Sequence, residues 1–223
     1  MTGLSILVDK YQMHEVVELY VRTWMPEVKK SLPVKKDPTL LPWISISYVF
    51  RLSAEYQHVT RLAVLESCGP LGNDLKQLLP IPGHVFDRIE RHRQNGIKSL
   101  LGALKTIVDR YNKNEGVCRS SYDGDENIMR QGCDSMMAGS LLRSTIAHGL
   151  CPLPLAPYQG RSITQTAQVL QNLKMMALCD KPFFYCLRYS ATVGPTHGMM
   201  KFLHDEASRL EKQYQGLAFD GTT

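Results

Sequence analysis

Thiols and imidazoles are the groups in this chain best suited to chemistry. Six cysteines stand at 68, 118, 133, 151, 179 and 186, among seven histidines. Cys118, Cys133 and His197 form the leading candidate set, for a metal ion, because thiolate and imidazole are the ligands zinc prefers. Their separations are long, 15 and then 64 residues, and no C-x-x-C pair brings two of them together in advance. The competing expectation makes Cys133 a small buried hydrophobe beside a helix start, leaves Cys118 free in a loop, and lets His197 cap or pack. A cysteine nucleophile is the next candidate. Cys151 has His148 three residues earlier, and Cys133 at a helix N-terminus would have its thiol pKa lowered by the dipole. Neither has an oxyanion setting or a third orienting group in the local sequence.

Other chemistries find less support. The chain contains no G-x-x-x-x-G-K-[ST], G-x-G-x-x-G, G-x-S-x-G or H-x-x-x-H pattern, so phosphate loops, nucleophile elbows and two-histidine helix faces are absent from the sequence. Asp123, Asp125 and Glu126 do not meet calcium-loop spacing and read as solvated acids. Two basic groups, Lys29, Lys30, Lys35 and Lys36, and Arg88, Arg91, His92 and Arg93, are candidates for a nucleic-acid surface. Asp87 and Glu90 interrupt the second, and 26 basic against 21 acidic side chains leave only +5. A solvated helix face is the expected role, with weak nucleic-acid association through Arg88, Arg91 and Arg93 as an alternative. The adjacent methionine pairs 136–137, 175–176 and 199–200 suit core filling at helical spacing.

The elements that must position these groups are helices. In 223 residues, 43% hydrophobic and 21% charged, apolar positions recur at three and four and almost nowhere alternate. The expected fold is all-α, an orthogonal bundle of about seven to nine helices with proline-rich connections. Leu4 to Thr23 divides into two short helices about a turn at 12–14, with Pro26 limiting the second. Residues 29–42 hold three prolines and four lysines and read as a linker. A densely apolar helix follows from Trp43 to Leu52, then helices over about 54–67, 84–112, 134–148, 162–177 and 196–215. Asp134 is the expected N-cap of its helix, and 114–130 the most mobile loop. No stretch approaches the roughly 18 apolar residues of a membrane span. No basic leader is visible at residues 1–10, so an intracellular location, cytoplasm or nucleus, is expected.

Four segments carry a resemblance: LSILVDKYQMHEVVELYVRTW, WISISYVFRLSAEYQHVTRLAVLESCGPL, LPIPGHVFDRIERHRQNGIKSLLGALKTIVDRY and CDSMMAGSLLRSTIAHGLCPLPLAPYQGRSI. In this order and spacing they are similar to fungal BTB/POZ domain-containing proteins, over nearly the whole chain. The resemblance implies a last BTB helical hairpin at 1–25, a linker at 26–41, a helical C-terminal domain at 42–215 and a tail at 216–223. The sheet-bearing part that precedes this hairpin in the family is not in the sequence, so the chain is expected to begin in mid-domain. The implied function is non-catalytic protein–protein association, as an adaptor or scaffold rather than an enzyme. A cullin-type ligase scaffold is a partner implied by the resemblance alone. The apolar face of residues 4–23 is expected to dock on the helical body, and Tyr11, Val16, Leu19, Tyr20 and Trp24 are the candidate interaction residues. No organic cofactor is implied. Where the family tends to carry His-x-x-Cys near the last helix, this chain reads His197-Gly-Met-Met200. Methionine is a poor zinc ligand, so a closed site needs Cys179 or Cys186 in its place.

Overall fold

The computed structural model describes residues 1–72, 78–113, 116–122, 125–180, 186–188 and 195–219. The fold is all-α. Eight α-helices lie among the described residues: α1 Thr2–Tyr11, α2 His14–Val28, α3 Leu40–Val49, α4 Ser53–Glu66, α5 Gly83–Asn112, α6 Glu126–Ala147, α7 Ile163–Gln171 and α8 Met199–Gln213. One short antiparallel pairing, β1 Ser121–Tyr122 with β2 Cys186–Arg188, accompanies them. No helix among the described residues is long and apolar enough to cross a membrane.

The chain divides into two compact units. Residues 1–96, 157–164 and 212–223 form the first, and residues 97–156 and 165–211 the second. The helices α5, α7 and α8 therefore change unit along their length. This division differs from the one expected at the proline-rich linker, because that segment is tied down within the first unit. The Trp43 indole N–H donates to the Ser31 carbonyl at 3.0 Å, and the Lys36 amide donates to the Glu66 carboxylate at 2.6 Å. A His58 ring nitrogen meets the Pro33 carbonyl at 2.8 Å, and Lys29 pairs with Glu55. Pro26 also does not limit α2. It lies inside a helix that reaches Val28, at the cost of one backbone hydrogen bond near the C-terminal end.

In the first unit α3 is buried almost all round, through Trp43, Ile44, Ile46 and Val49. Its buried hydroxyls are satisfied: Ser47 donates to the Trp43 carbonyl, and Ser45 meets Ser5 of α1. Gly96 in α5 permits a close approach, since a Cβ there would lie 2.3 Å from the Ile163 side chain. In the second unit α6 begins at Glu126. The Asp125 carboxylate caps it by accepting the Asn127 and Ile128 amides. Asp134 is thus interior to α6 rather than its cap.

Arg93 requires a correction. Its side chain is 0% exposed, so it is not part of a basic surface. It donates to both Glu90 carboxylate oxygens, at 2.8 and 2.6 Å. It also donates to the carbonyls of Pro157, Tyr158 and Arg161 at 2.7, 3.1 and 2.7 Å. One guanidinium therefore joins α5 to the 157–161 segment, using the fixed fork geometry that lysine lacks. Burial raises the Glu90 pKa, but the hydrogen bonds from Arg93 and Gln94 outweigh it and hold the carboxyl below its usual range.

Breaking such a pair leaves the other charge buried and uncompensated, so Arg93→Ala is expected to cost about 3–5 kcal/mol in denaturant unfolding. The carboxyl is depressed in the folded state, so its contribution is present above its unfolded pKa of about 4.3 and lost as pH falls through the folded value. The gap between wild type and variant should narrow in acid; a gap independent of pH would contradict this assignment.

Candidate metal centre

The four ligand-type residues come from four separate segments of the second unit. Cys118 sits in the irregular stretch 116–120 that leads into β1, and Cys133 lies within α6. Cys179 is in the short 3-10 turn Leu178–Asp180, and His197 is in the turn Pro195–Gly198 that opens α8. All four are buried, none more than 7% exposed, and their ligand atoms lie within 4.8 Å of one another. Cys133 Sγ and Cys179 Sγ are 3.7 Å apart, and His197 Nε2 is 3.5 Å from the first sulfur and 3.2 Å from the second.

These distances can be tested against an ion. Zinc–sulfur bonds of about 2.3 Å and zinc–nitrogen bonds of about 2.0–2.1 Å give tetrahedral edges of about 3.8 Å between sulfurs and about 3.5 Å from sulfur to nitrogen. The Cys133–Cys179 edge matches the first, and the two edges to His197 Nε2 equal the second or fall about 0.3 Å short of it. With Cys118 Sγ within 4.8 Å of the others, the arrangement is compatible with a single tetrahedral ion, and three thiols with one imidazole are a donor set that selects zinc over harder cations.

Local electrostatics favour a cation in the cluster. Hydrogen bonds from Cys118 and Cys133, with burial added, push the Cys179 thiol far above its ordinary value, and Ser120 works in the opposite direction. Burial pulls the His197 imidazole down, but the sulfurs of Cys118 and Cys133 outweigh it and the ring is pushed up to about 10. The cluster attracts positive charge, and its third thiol resists ionising unaided. A divalent ion meets both conditions by replacing the protons.

The other side of the His197 ring faces polar groups. Tyr111 Oη lies 3.4 Å and Asp134 Oδ1 4.0 Å from Nδ1. Burial, and then the charge of Asp134, raises the Tyr111 hydroxyl well above its ordinary pKa, so it stays protonated. A cleft of about 380 Å³, lined by Tyr111, Gly116, Val117 and Asp134 among others, lies on this side.

The structure brings together all three sequence candidates, Cys118, Cys133 and His197, and adds Cys179. Cys118 is buried rather than free in a loop. Cys186 lies in β2, with its side chain outside the described residues. Cys133 is interior to α6 and fully buried, so no helix N-terminus activates it as a nucleophile. Cys151 is exposed, and His148 Nδ1 is engaged by the Ser144 carbonyl at 2.8 Å. Sequence reasoning missed Tyr111 and Asp134 beside the His197 ring, and Asp180, whose carboxylate accepts the Thr196 amide next to it. A Cys-Asp dipeptide that occurs twice, at 133–134 and 179–180, is the signal that could have found the two acids.

The candidate interaction residues lie elsewhere, in the first unit. Tyr11, Val16, Leu19, Tyr20 and Trp24 are all exposed, Leu19 by 73%. Docking of this region on the helical body uses its other face: α1 packs on α3, with Ser5 and Val8 buried, and α2 buries only Val21 and Met25. Arg91 is exposed and Arg88 half-buried, while Arg93 is withdrawn. No family model, curated protein or solved structure matches the chain.

Proposed function

We propose that this is a non-catalytic zinc-binding helical protein, in which one ion on Cys118, Cys133, Cys179 and His197 holds the second unit together. The observation that carries this is the convergence of four buried donor atoms within 4.8 Å from segments far apart in sequence. Four protein ligands complete a tetrahedron and leave no open position for water or substrate, which is the arrangement of a structural rather than a catalytic zinc. Because the donors assemble only in the folded chain, the binding free energy, about 10–16 kcal/mol for comparable structural sites, contributes to folding.

A second reading, association with another protein, is favoured by the exposed apolar side chains of α1 and α2. Large apolar groups left in water as a contiguous patch mark interaction sites. The resemblance to BTB/POZ proteins supports the same role, with a cullin-type scaffold as the partner it suggests.

Purified chain is expected to contain one zinc per molecule by elemental analysis. Removing it with a strong chelator should lower the melting temperature by more than about 10 °C, since each kcal/mol moves it by about 2–4 °C at this size. Cys133→Ser and Cys179→Ser should both lose the metal. Metal-free protein that melts as before would overturn the zinc reading. For the second, saturable binding of a purified cullin-type scaffold, abolished by Leu19→Glu, is the supporting result, and no binding by the wild-type chain removes that partner.

A further inference from the structure

Each of two zinc-site cysteines is followed directly by an aspartate whose carboxylate grips the backbone beside a different ligand. Asp134, after Cys133, accepts the Cys118 amide on Oδ1 at 2.9 Å and the Val117 amide on Oδ2 at 2.8 Å. Asp180, after Cys179, accepts the Thr196 amide on both oxygens, at 3.1 and 2.8 Å, immediately before His197. The four ligands thus fall into two pairs, Cys133 with Cys118 and Cys179 with His197. In each pair one residue's neighbour fixes the other's backbone.

We infer that Asp134 and Asp180 are the positioning residues of the metal site, clamping Cys118 and His197 where the ion needs them; this rests on the zinc reading above. Three features support it. Asp134 is interior to α6, so its carboxylate is not a helix cap, and it reaches sideways to a segment that no helix holds. Thr196 and His197 both adopt left-handed backbone, with φ of 51° and 52°. Side chains other than glycine rarely do so unless their surroundings over-determine it, and the charge-assisted bond from the Thr196 amide to Asp180 supplies such a restraint. Asp134 Oδ1 also lies on the Nδ1 side of the His197 ring, at 4.0 Å. Nε2, on the opposite side of the ring, is the nitrogen that faces the sulfurs of Cys133 and Cys179.

The test measures zinc affinity of the full chain by competition with a chromophoric chelator. Asp134→Asn and Asp180→Asn keep the side-chain shape and remove the charge, and each should weaken binding by about 10–100-fold, the usual effect of losing an outer-shell partner. Stoichiometry should stay at one, and the cobalt-substituted protein should keep the charge-transfer and ligand-field bands of wild type, because no ligand is lost. Asp109→Asn, which removes a surface partner of Lys105, should leave affinity unchanged. Wild-type affinity in both aspartate variants overturns the inference. So does a changed cobalt spectrum, which would make the aspartate a ligand, or loss of helical dichroism at saturating zinc, which would make its role structural. A wild-type chain that takes up no zinc fails the zinc reading itself, and is told apart by needing no variant.

Discussion

Three thiols and an imidazole gathered out of water form the constraint on which the second unit depends. Helices satisfy their own backbone groups, but these side chains come from one irregular segment, one helix interior and two short turns. None of those four places is held by a regular hydrogen-bond ladder to the others. The neighbouring sulfurs and burial push the Cys179 thiol up, a cost that a cation among the sulfurs would offset. The observed edges are close to those around a tetrahedral ion. Once an ion is placed there, the surroundings follow: acids that grip the ligand backbones, and a tyrosine and a carboxylate on the far side of the histidine ring.

In the first unit a buried guanidinium plays the comparable role. Arg93 engages Glu90 and three carbonyls of the 157–161 segment, a set of acceptors that apolar packing alone would leave unsatisfied. The proline-rich stretch before α3 is held in a similar way, by an indole N–H and a glutamate rather than by a ladder of its own. Against this order, α2 contrasts sharply, with two buried side chains and an apolar face turned to solvent.

Much of the helical layout was legible in the sequence. The turn at residues 12–14, the buried helix after Pro42, the long helix over 84–112 and the start of the last helix all fall within a few residues of their observed places, because the 3.6-residue period is a local property. Caps were less legible. Asp134 stands before an apolar run, as an N-cap does, yet α6 starts nine residues earlier, after an equally good cap, Asp125, and local sequence does not rank one against the other. Arg93 looked like its neighbours Arg88 and Arg91, since a charged residue's burial depends on acceptors brought from 64 to 68 residues away.

For the site, the sequence by itself determined the chemistry: residue types that bind soft metal ions, and a methionine at 200 that is a poor fourth ligand for zinc. It also pointed to Cys179 or Cys186 as the replacement, without choosing. Only the tertiary structure decided that Cys118, Cys133, Cys179 and His197 meet, because ligands 15, 46 and 18 residues apart are joined by how the intervening helices fold back, not by any local period. The same long-range closure turned Asp134 from a supposed cap into a clamp. Residue type is written in the chain one position at a time, whereas convergence belongs to the packing of segments that have no contact until the fold is complete.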